Sequence, residues 1–341
     1  MRLGKRTIVF EKRPSIKSYA AVGGKEESGG PLGSKFDRIF TDPYLGEASW
    51  EHAESLLQYN AVNILMQKAG LKNTDIDMMF GGDLINQCTS SYFSARDLQI
   101  PFYGIYGACS TIGEGLQLAS MAVAGGFADN VISVTSSHFC SSEKQFRYPL
   151  EYGGQRPPTA QWTVTASGAV LLSGESGKAE ITHITTGKIV DMGVSDANNM
   201  GAAMAPAAAE TIKQHFKDTG FSAKDYDLII TGDLGILGKE LLCQLLLEDN
   251  IDIRDVCDDC GCLIYNTDNQ DKHCGGSGCG CSASVLCCHL LPLIEKGKIN
   301  KMLFIPTGAL MSPLTCQQGD SIAGIAHAVR IVSKSTGEGL E

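Results

Sequence analysis

Residues 70–84 read Gly-Leu-Lys-Asn-Thr-Asp-Ile-Asp-Met-Met-Phe-Gly-Gly-Asp-Leu, and residues 220–234 read Gly-Phe-Ser-Ala-Lys-Asp-Tyr-Asp-Leu-Ile-Ile-Thr-Gly-Asp-Leu. Slid by 150 positions without a gap, they place Gly70, Asp75, Asp77, Gly82, Asp83 and Leu84 on Gly220, Asp225, Asp227, Gly232, Asp233 and Leu234. Each copy reads as a helix stopped by glycine, then a short apolar strand (Met78 to Phe80; Leu228 to Ile230) that ends in Gly-Asp-Leu. The preceding helices match too: Val62 and Met66 fall on Ile212 and Phe216, each pair four apart and so on one helical face. Coincidence among common Gly/Asp turns is the bland alternative, and a second echo argues against it. Cys109-Ser110 opens a helix predicted to reach about Ala124, followed by Gly126 and the strand Val131 to Val134. Cys281-Ser282 opens one predicted to reach about Glu295, followed by Gly297 and the strand Met302 to Ile305.

Such units, repeated in order, predict an α/β protein of two similar halves about a pseudo-two-fold axis, with helices covering mixed sheets. The halves are expected over residues 1–180 and 181–335, because Gly174, Gly177, Gly187 and Gly193 break the pattern between them. Strand-like runs at Gly168 to Leu172, Glu180 to Val190 and Ile322 to Val332 complete the sheets.

The 341 residues suit two halves of this size, and 43% hydrophobic against 19% charged residues fits a large packed core. The net charge of −10, with no basic cluster beyond the first 13 residues, argues against nucleic acid as a partner. No apolar stretch is long enough to span a bilayer, and no signal-peptide pattern opens the chain. Thirteen cysteines, an odd number in a chain this long, read mostly as free thiols. Gly337 to Glu341 reads as a frayed end.

Three places carry chemistry. Cys109 stands where a strand hands over to an apolar helix; unpaired N–H groups and the helix dipole there favour a thiolate or a bound carboxylate, although a small buried cysteine beside glycines is also ordinary packing. Ser110 and Thr111 share that helix start. The run from Asn269 to Ser282 sets Lys272 and His273 before a glycine-rich turn holding Gly276 and Ser277, whose amides can approach a ligand; it matches neither a dinucleotide fingerprint nor a P-loop. Asp233 ends its strand as a ligand group, a calcium ligand or an Asx turn, and Asp83 has the same alternatives. Six cysteines crowd residues 257–281, and Cys257-x-x-Cys260 has zinc-ligand spacing. The later ones lie in a glycine loop and a helix start, which favours buried thiols or redox-sensitive pairs over a metal, with Cys262 among them.

The duplicated halves and the two helix starts resemble the thiolase superfamily, in its ketosynthase III branch. Three runs make the resemblance specific: Gln270-Asp-Lys-His273-Cys-Gly-Gly-Ser-Gly-Cys-Gly-Cys-Ser282-Ala, Gly104-Ile-Tyr-Gly-Ala-Cys109-Ser-Thr, and Phe80-Gly-Gly-Asp-Leu-Ile-Asn-Gln87. Together they resemble the stage V sporulation protein AD family of endospore-forming bacteria, from Thr7 to about Val332. The resemblance implies a thiolase-like fold with layered mixed sheets and buried central helices. It also implies non-catalytic binding of dipicolinic acid (pyridine-2,6-dicarboxylate) or its calcium chelate for uptake into the developing spore. Small membrane proteins of the same sporulation operon would be partners, on the inner forespore membrane that the chain reaches peripherally. No cofactor is implied beyond calcium carried with the ligand, which Asp233 would help to hold.

Condensing enzymes of the superfamily pair the nucleophilic cysteine with a His and an Asn, or with two His. Here the first position reads Thr231-Gly-Asp233-Leu and the second falls in Gly278 to Cys281, so condensation is expected to be badly impaired. The site expected from the resemblance therefore comprises Cys109, Ser110, Thr111, Asp233, Lys272, His273, Gly276 and Ser277. The rival readings are an acyltransferase using Cys109 as nucleophile and a scaffold that docks channel subunits. Thiolase-like chains also pair, which makes a homodimer an expectation, with a loop over about Asn86 to Ile100 reaching the neighbour.

Overall fold

The helices before the two Gly-Asp-Leu runs span Trp50–Ala69 and Met200–Thr219 in the computed structural model, which describes residues 1–146, 155–175 and 177–334. Both stop at a glycine in the left-handed region, Gly70 at φ 68° and Gly220 at φ 76°, a conformation that a Cβ would strain. The repeated acids then close the turn the same way twice. Asp75 accepts the Lys72 N–H and Asp225 the Ser222 N–H, each at 2.8 Å. Asp77 accepts the N–H groups of Asp129 and Asn130 (2.7 and 2.9 Å), and Asp227 those of Asn300 and Lys301 (2.7 and 3.0 Å). These aspartates tie one strand's entry to its neighbour's. Asp77→Ala and Asp227→Ala should each destabilise the protein by about 1 kcal/mol, and their combination should be additive in urea unfolding because they serve different halves.

The strands form a mixed sheet running from one half into the other. From one edge the neighbours are Phe102–Gly104, Met78–Gly82, Asn130–Ser137, Ala166–Ser173 and Ser15–Gly23; from the other, Cys257–Asp259, Leu228–Thr231, Lys301–Ile305, Ala328–Ser333 and Ala179–Thr185. In both sets the first three strands are parallel and the last two join antiparallel. The innermost strands meet where Ala179 pairs with Ile16. Topology, and not only sequence, is duplicated.

Between the two sets lie the buried helix Thr111–Ala124 and the helical run from Cys279 to Glu295, which passes through a π-turn at Leu286–Leu290. Ile112, Leu116, Val285 and Leu286 are fully buried there with Val170 and Phe304 of the strands. Helices Trp50–Ala69 and Met200–Thr219 cover the outer faces through two further apolar clusters.

Several boundaries differ from expectation. The second central helix starts at Cys279, two residues before Cys281, because Gly278 (φ 103°) makes the turn into it. The run 180–190 ends as a strand at Thr185, and 322–332 divides into Ala323–Ala326 and Ala328–Ser333 around His327. Most of Asn86 to Ile100 is helix, Thr89–Leu98, entered through left-handed Gln87 and Cys88. The terminal stretch from Gly337 lies outside the described residues.

Candidate ligand site at Cys109

The two central helix starts meet. Cys109 precedes the first and Cys279 opens the second; the Cys279 thiol donates to the Ala108 carbonyl at 3.0 Å, and both thiols pack against Leu84 and Phe146. The Cys109 thiol stands beside the Asp233 carboxylate, whose charge acts on it. Asp233 accepts from the Gly278 N–H (2.9 Å) and from the Thr307 hydroxyl (2.9 Å). Strand Leu228–Thr231 thus delivers its terminal aspartate to the first helix tip.

Burial, opposed by the neighbouring Cys109 thiol and by hydrogen bonds from Gly278 and Thr307, pushes the Asp233 carboxyl up to about 7. Burial and then the Asp233 charge push the Cys109 thiol well above its ordinary range. A helix start ordinarily favours the thiolate; here desolvation and the carboxylate outweigh it, so Cys109 is held as a thiol.

The repeat twin behaves differently. Asp83 turns away from the tips to accept the N–H and hydroxyl of Ser91 (2.8 and 2.6 Å), and burial raises it to about 6. Beside it Glu54 accepts from Ser136 and Ser141, and burial together with the Asp83 charge raises it to about 8.

The cavity at Cys109 holds about 40 Å³ and is walled by Leu84, Tyr106, Ser142, Phe146, Met200 and Met311, with Ser277 also on its lining. That is room for about one water, so a planar diacid enters only if the partly exposed walls part. The Ser142 hydroxyl on this wall is buried and has no partner among the described residues.

Of the residues expected here, Cys109 and Ser277 line the cavity, Asp233 is fully buried behind the tip and does not line it, and Gly276 pairs with Trp162 in the adjoining short strand. Ser110 and Thr111 sit at the tip, but their N–H groups already bond the carbonyls of Gly107 and Ala108, and their hydroxyls do the same (both 2.6 Å). Lys272 is buried elsewhere, its ammonium 2.9 Å from Glu26 and 3.4 Å from the centre of the Trp162 ring. His273, at φ 48°, pairs with Asp271 at 3.3 Å and does not line the Cys109 cavity. The left-handed turn at Asp271 and His273 carries the Lys272 and His273 side chains away from the tips. Gly278 and Cys279 were marked only as the second catalytic position of the superfamily, and Thr307, the first residue of strand Thr307–Leu310, was missed.

Among the described residues no group of three or more His, Cys, Asp or Glu side chains is placed to hold a metal. The zinc-like spacing dissolves because Cys260 is fully buried while the Cys257 thiol faces Cys243 of the helix Gly235–Glu248. The hydrogen bond from Cys257, and then Lys239, pull Cys243 below the ordinary thiol range. Brief iodoacetamide labelling at neutral pH should therefore modify Cys243 first and leave Cys109 untouched, as read by peptide mass mapping.

The family model for stage V sporulation protein AD matches residues 4–332. The chain belongs to the stage V sporulation protein AD family. It is 48% identical over 326 residues to stage V sporulation protein AD of Bacillus subtilis (strain 168), covering 96% of each chain. Similar solved structures include 3-oxoacyl-[acyl-carrier-protein] synthase III of Aquifex aeolicus VF5 (TM-score 0.56, 13% identity, 94% of this chain and 99% of that one). OleA of Xanthomonas campestris is another (TM-score 0.61, 12% identity, 95% and 99%). At such identities the likeness concerns the fold, which is thiolase-like in this family member. Among its described residues no helix is long and apolar enough to cross a membrane.

Proposed function

We propose that this protein binds a small planar dicarboxylate, dipicolinic acid or its calcium chelate, at the Cys109–Asp233 tip, without covalent chemistry. Its role is uptake of that ligand into the developing spore, at the surface of the inner forespore membrane beside small membrane proteins of the same operon. The observation that supports the non-covalent reading is a fully buried carboxylate beside the Cys109 thiol, Asp233, fixed there by the Gly278 N–H and the Thr307 hydroxyl. An acyltransferase needs a thiolate and donors aimed at a developing oxyanion; a buried carboxylate at that place opposes both. The same group suits a carboxylate ligand, because a carboxyl near neutrality donates a proton to an acceptor when uncharged and helps hold calcium when ionised. The unpartnered Ser142 hydroxyl adds a second donor. Binding requires Tyr106, Phe146, Met200 and Met311 to move, so association should be slow relative to diffusion.

Isothermal titration with dipicolinate, with and without calcium, tests the site. Cys109→Ala and Asp233→Ala should weaken binding by about tenfold or more, equivalent to about 1.4 kcal/mol, while His273→Ala should leave it unchanged. Equal affinity in all three variants removes the site, and no affinity in any protein favours a docking scaffold. Incubation with acyl-CoA should add no mass to Cys109; a stable acyl adduct would establish the enzyme reading instead.

A further inference from the structure

Helix Phe139–Phe146 and the short strand Trp162–Thr163 form a partition. Ser142, Glu143, Phe146 and Thr163 face the narrow cavity at Cys109, whereas Phe139, Cys140 and Trp162 face a separate cavity of about 260 Å³. Alternation along the strand sends Trp162 and Thr163 to opposite sides. The second cavity is the roomier, near the lower end of the roughly 300–1,000 Å³ typical of small-molecule sites. Its apolar walls are Phe40, Pro43, Leu45 and Phe139. Trp162 stacks on Phe139 with ring centres 3.9 Å apart, and its other face is covered by the Lys272 ammonium at 3.4 Å.

Two residues that line this cavity each carry a buried polar atom with no partner among the described residues: the indole Nε1 of Trp162 and Oε2 of Glu27. Glu27 is 1% exposed. Its Oε1 accepts from both the Tyr265 hydroxyl and the Thr165 N–H, while Oε2 lies against Gly24 and Thr165, both on the cavity lining. Burial pushes the Glu27 carboxyl up, against the hydrogen bonds from Tyr265 and Thr165; in its neutral form, with Oε1 already accepting twice, the proton sits on Oε2. Both orphans are then donors, and unsatisfied buried donors in a formed cavity call for an acceptor. Lys272, paired with Glu26 at 2.9 Å, offsets the acidic rim of Glu26 and Asp42.

From this geometry we infer that the cavity between Glu27 and the Phe139–Trp162 stack is a second small-molecule site, taking a flat aromatic ring that carries a carbonyl-type acceptor, either carboxylate or amide. The ring packs on Phe139 and Phe40, and the acceptor oxygen receives the Glu27 and Trp162 protons. This site is independent of the reading given to Cys109.

The sequence has two tryptophans, so Trp50→Phe leaves Trp162 as sole emitter. Titrated with benzoate, benzamide and acetate, this protein should show saturable fluorescence change with at least one aromatic probe and none with acetate; benzoate against benzamide tells whether the acceptor is charged. On that background Glu27→Gln, which keeps a donor beside an accepting oxygen, should retain affinity. Glu27→Leu, and Cys140→Phe, which fills the cavity from its wall, should each weaken binding about tenfold or more. Cys109→Ser and Asp233→Asn should leave it unchanged. Absence of saturation with both aromatic probes, or equal affinity in the Glu27→Leu and Cys140→Phe proteins, overturns the assignment, as does loss of binding in Cys109→Ser. Dipicolinate titration of the Cys109 and Asp233 variants reports separately on the first site.

Discussion

Affinity for calcium-free dipicolinate is expected to fall about tenfold per pH unit above pH 7 and to level off below it. Asp233, raised from 3.8 to about 7, is uncharged below that value and can donate to a ligand carboxylate. Above it a second anion confronts the diacid in a buried site, and binding must be preceded by protonation. The calcium chelate should show the opposite slope, tightening as Asp233 ionises, because the ion gains a carboxylate ligand. In Asp233→Asn both slopes should flatten: Asn can still accept the Gly278 N–H and donate to the Thr307 hydroxyl. Titrations at pH 6, 7 and 8 decide it; parallel profiles for wild type and Asp233→Asn would detach this residue from the ligand. The same proton acts on stability. An acid with a raised folded-state pKa holds a proton that the unfolded chain releases between about 3.8 and about 7, so its contribution is complete below that window and is lost as pH rises through it. Thermal melts of Asp233→Asn should lose that part of the decline.

The second large effect is structural. Gly168→Ala should destabilise the protein by about 3 kcal/mol or more, at the top of the range for overpacking, against a total of roughly 5–15 kcal/mol for most proteins. A Cβ at Gly168 would stand 2.3 Å from the backbone carbon and oxygen of Ala283, and one at Gly280 would stand 2.3 Å from the Ala166 carbonyl oxygen. Helix Cys279–Val285 therefore lies directly on strand Ala166–Ser173, backbone to backbone, and no side chain can rotate to make room. Moving that helix also moves Gly278 and Cys279, so diacid binding should be lost along with stability. Gly70→Ala is the control: its Cβ would meet nothing within 4 Å, and only its φ of 68° is strained, which costs about 1 kcal/mol. Urea midpoints for the two variants should differ accordingly; similar midpoints would mean the helix can slide.

The fold was legible because its determinants are local and occur twice. Glycine stops after Ala69 and Thr219, aspartates that close the next turn, and short apolar strands all leave a mark at fixed spacing. The candidate site was legible only in part. Cys109 could be named from its helix start and a family motif, and Asp233 from the repeat. The departure of Lys272 and His273 could not be read, since it depends on left-handed backbone at Asp271 and His273 and on the ion pair of buried Lys272 with Glu26, some 246 residues earlier in the chain. Nor could the metal-like spacing of Cys257 and Cys260 reveal that a helix brings Cys243 to the first while the second is sealed in the core.

Sequence alone determined the duplicated α/β architecture and the family, because periodicity, turn chemistry and residue identity are properties of short stretches. Tertiary structure decided which of the twin aspartates stands beside the thiol, how little room is left there, and which residues around a second cavity keep unpartnered polar atoms. Those outcomes depend on desolvation and on distances between segments far apart in the chain, which no short stretch encodes.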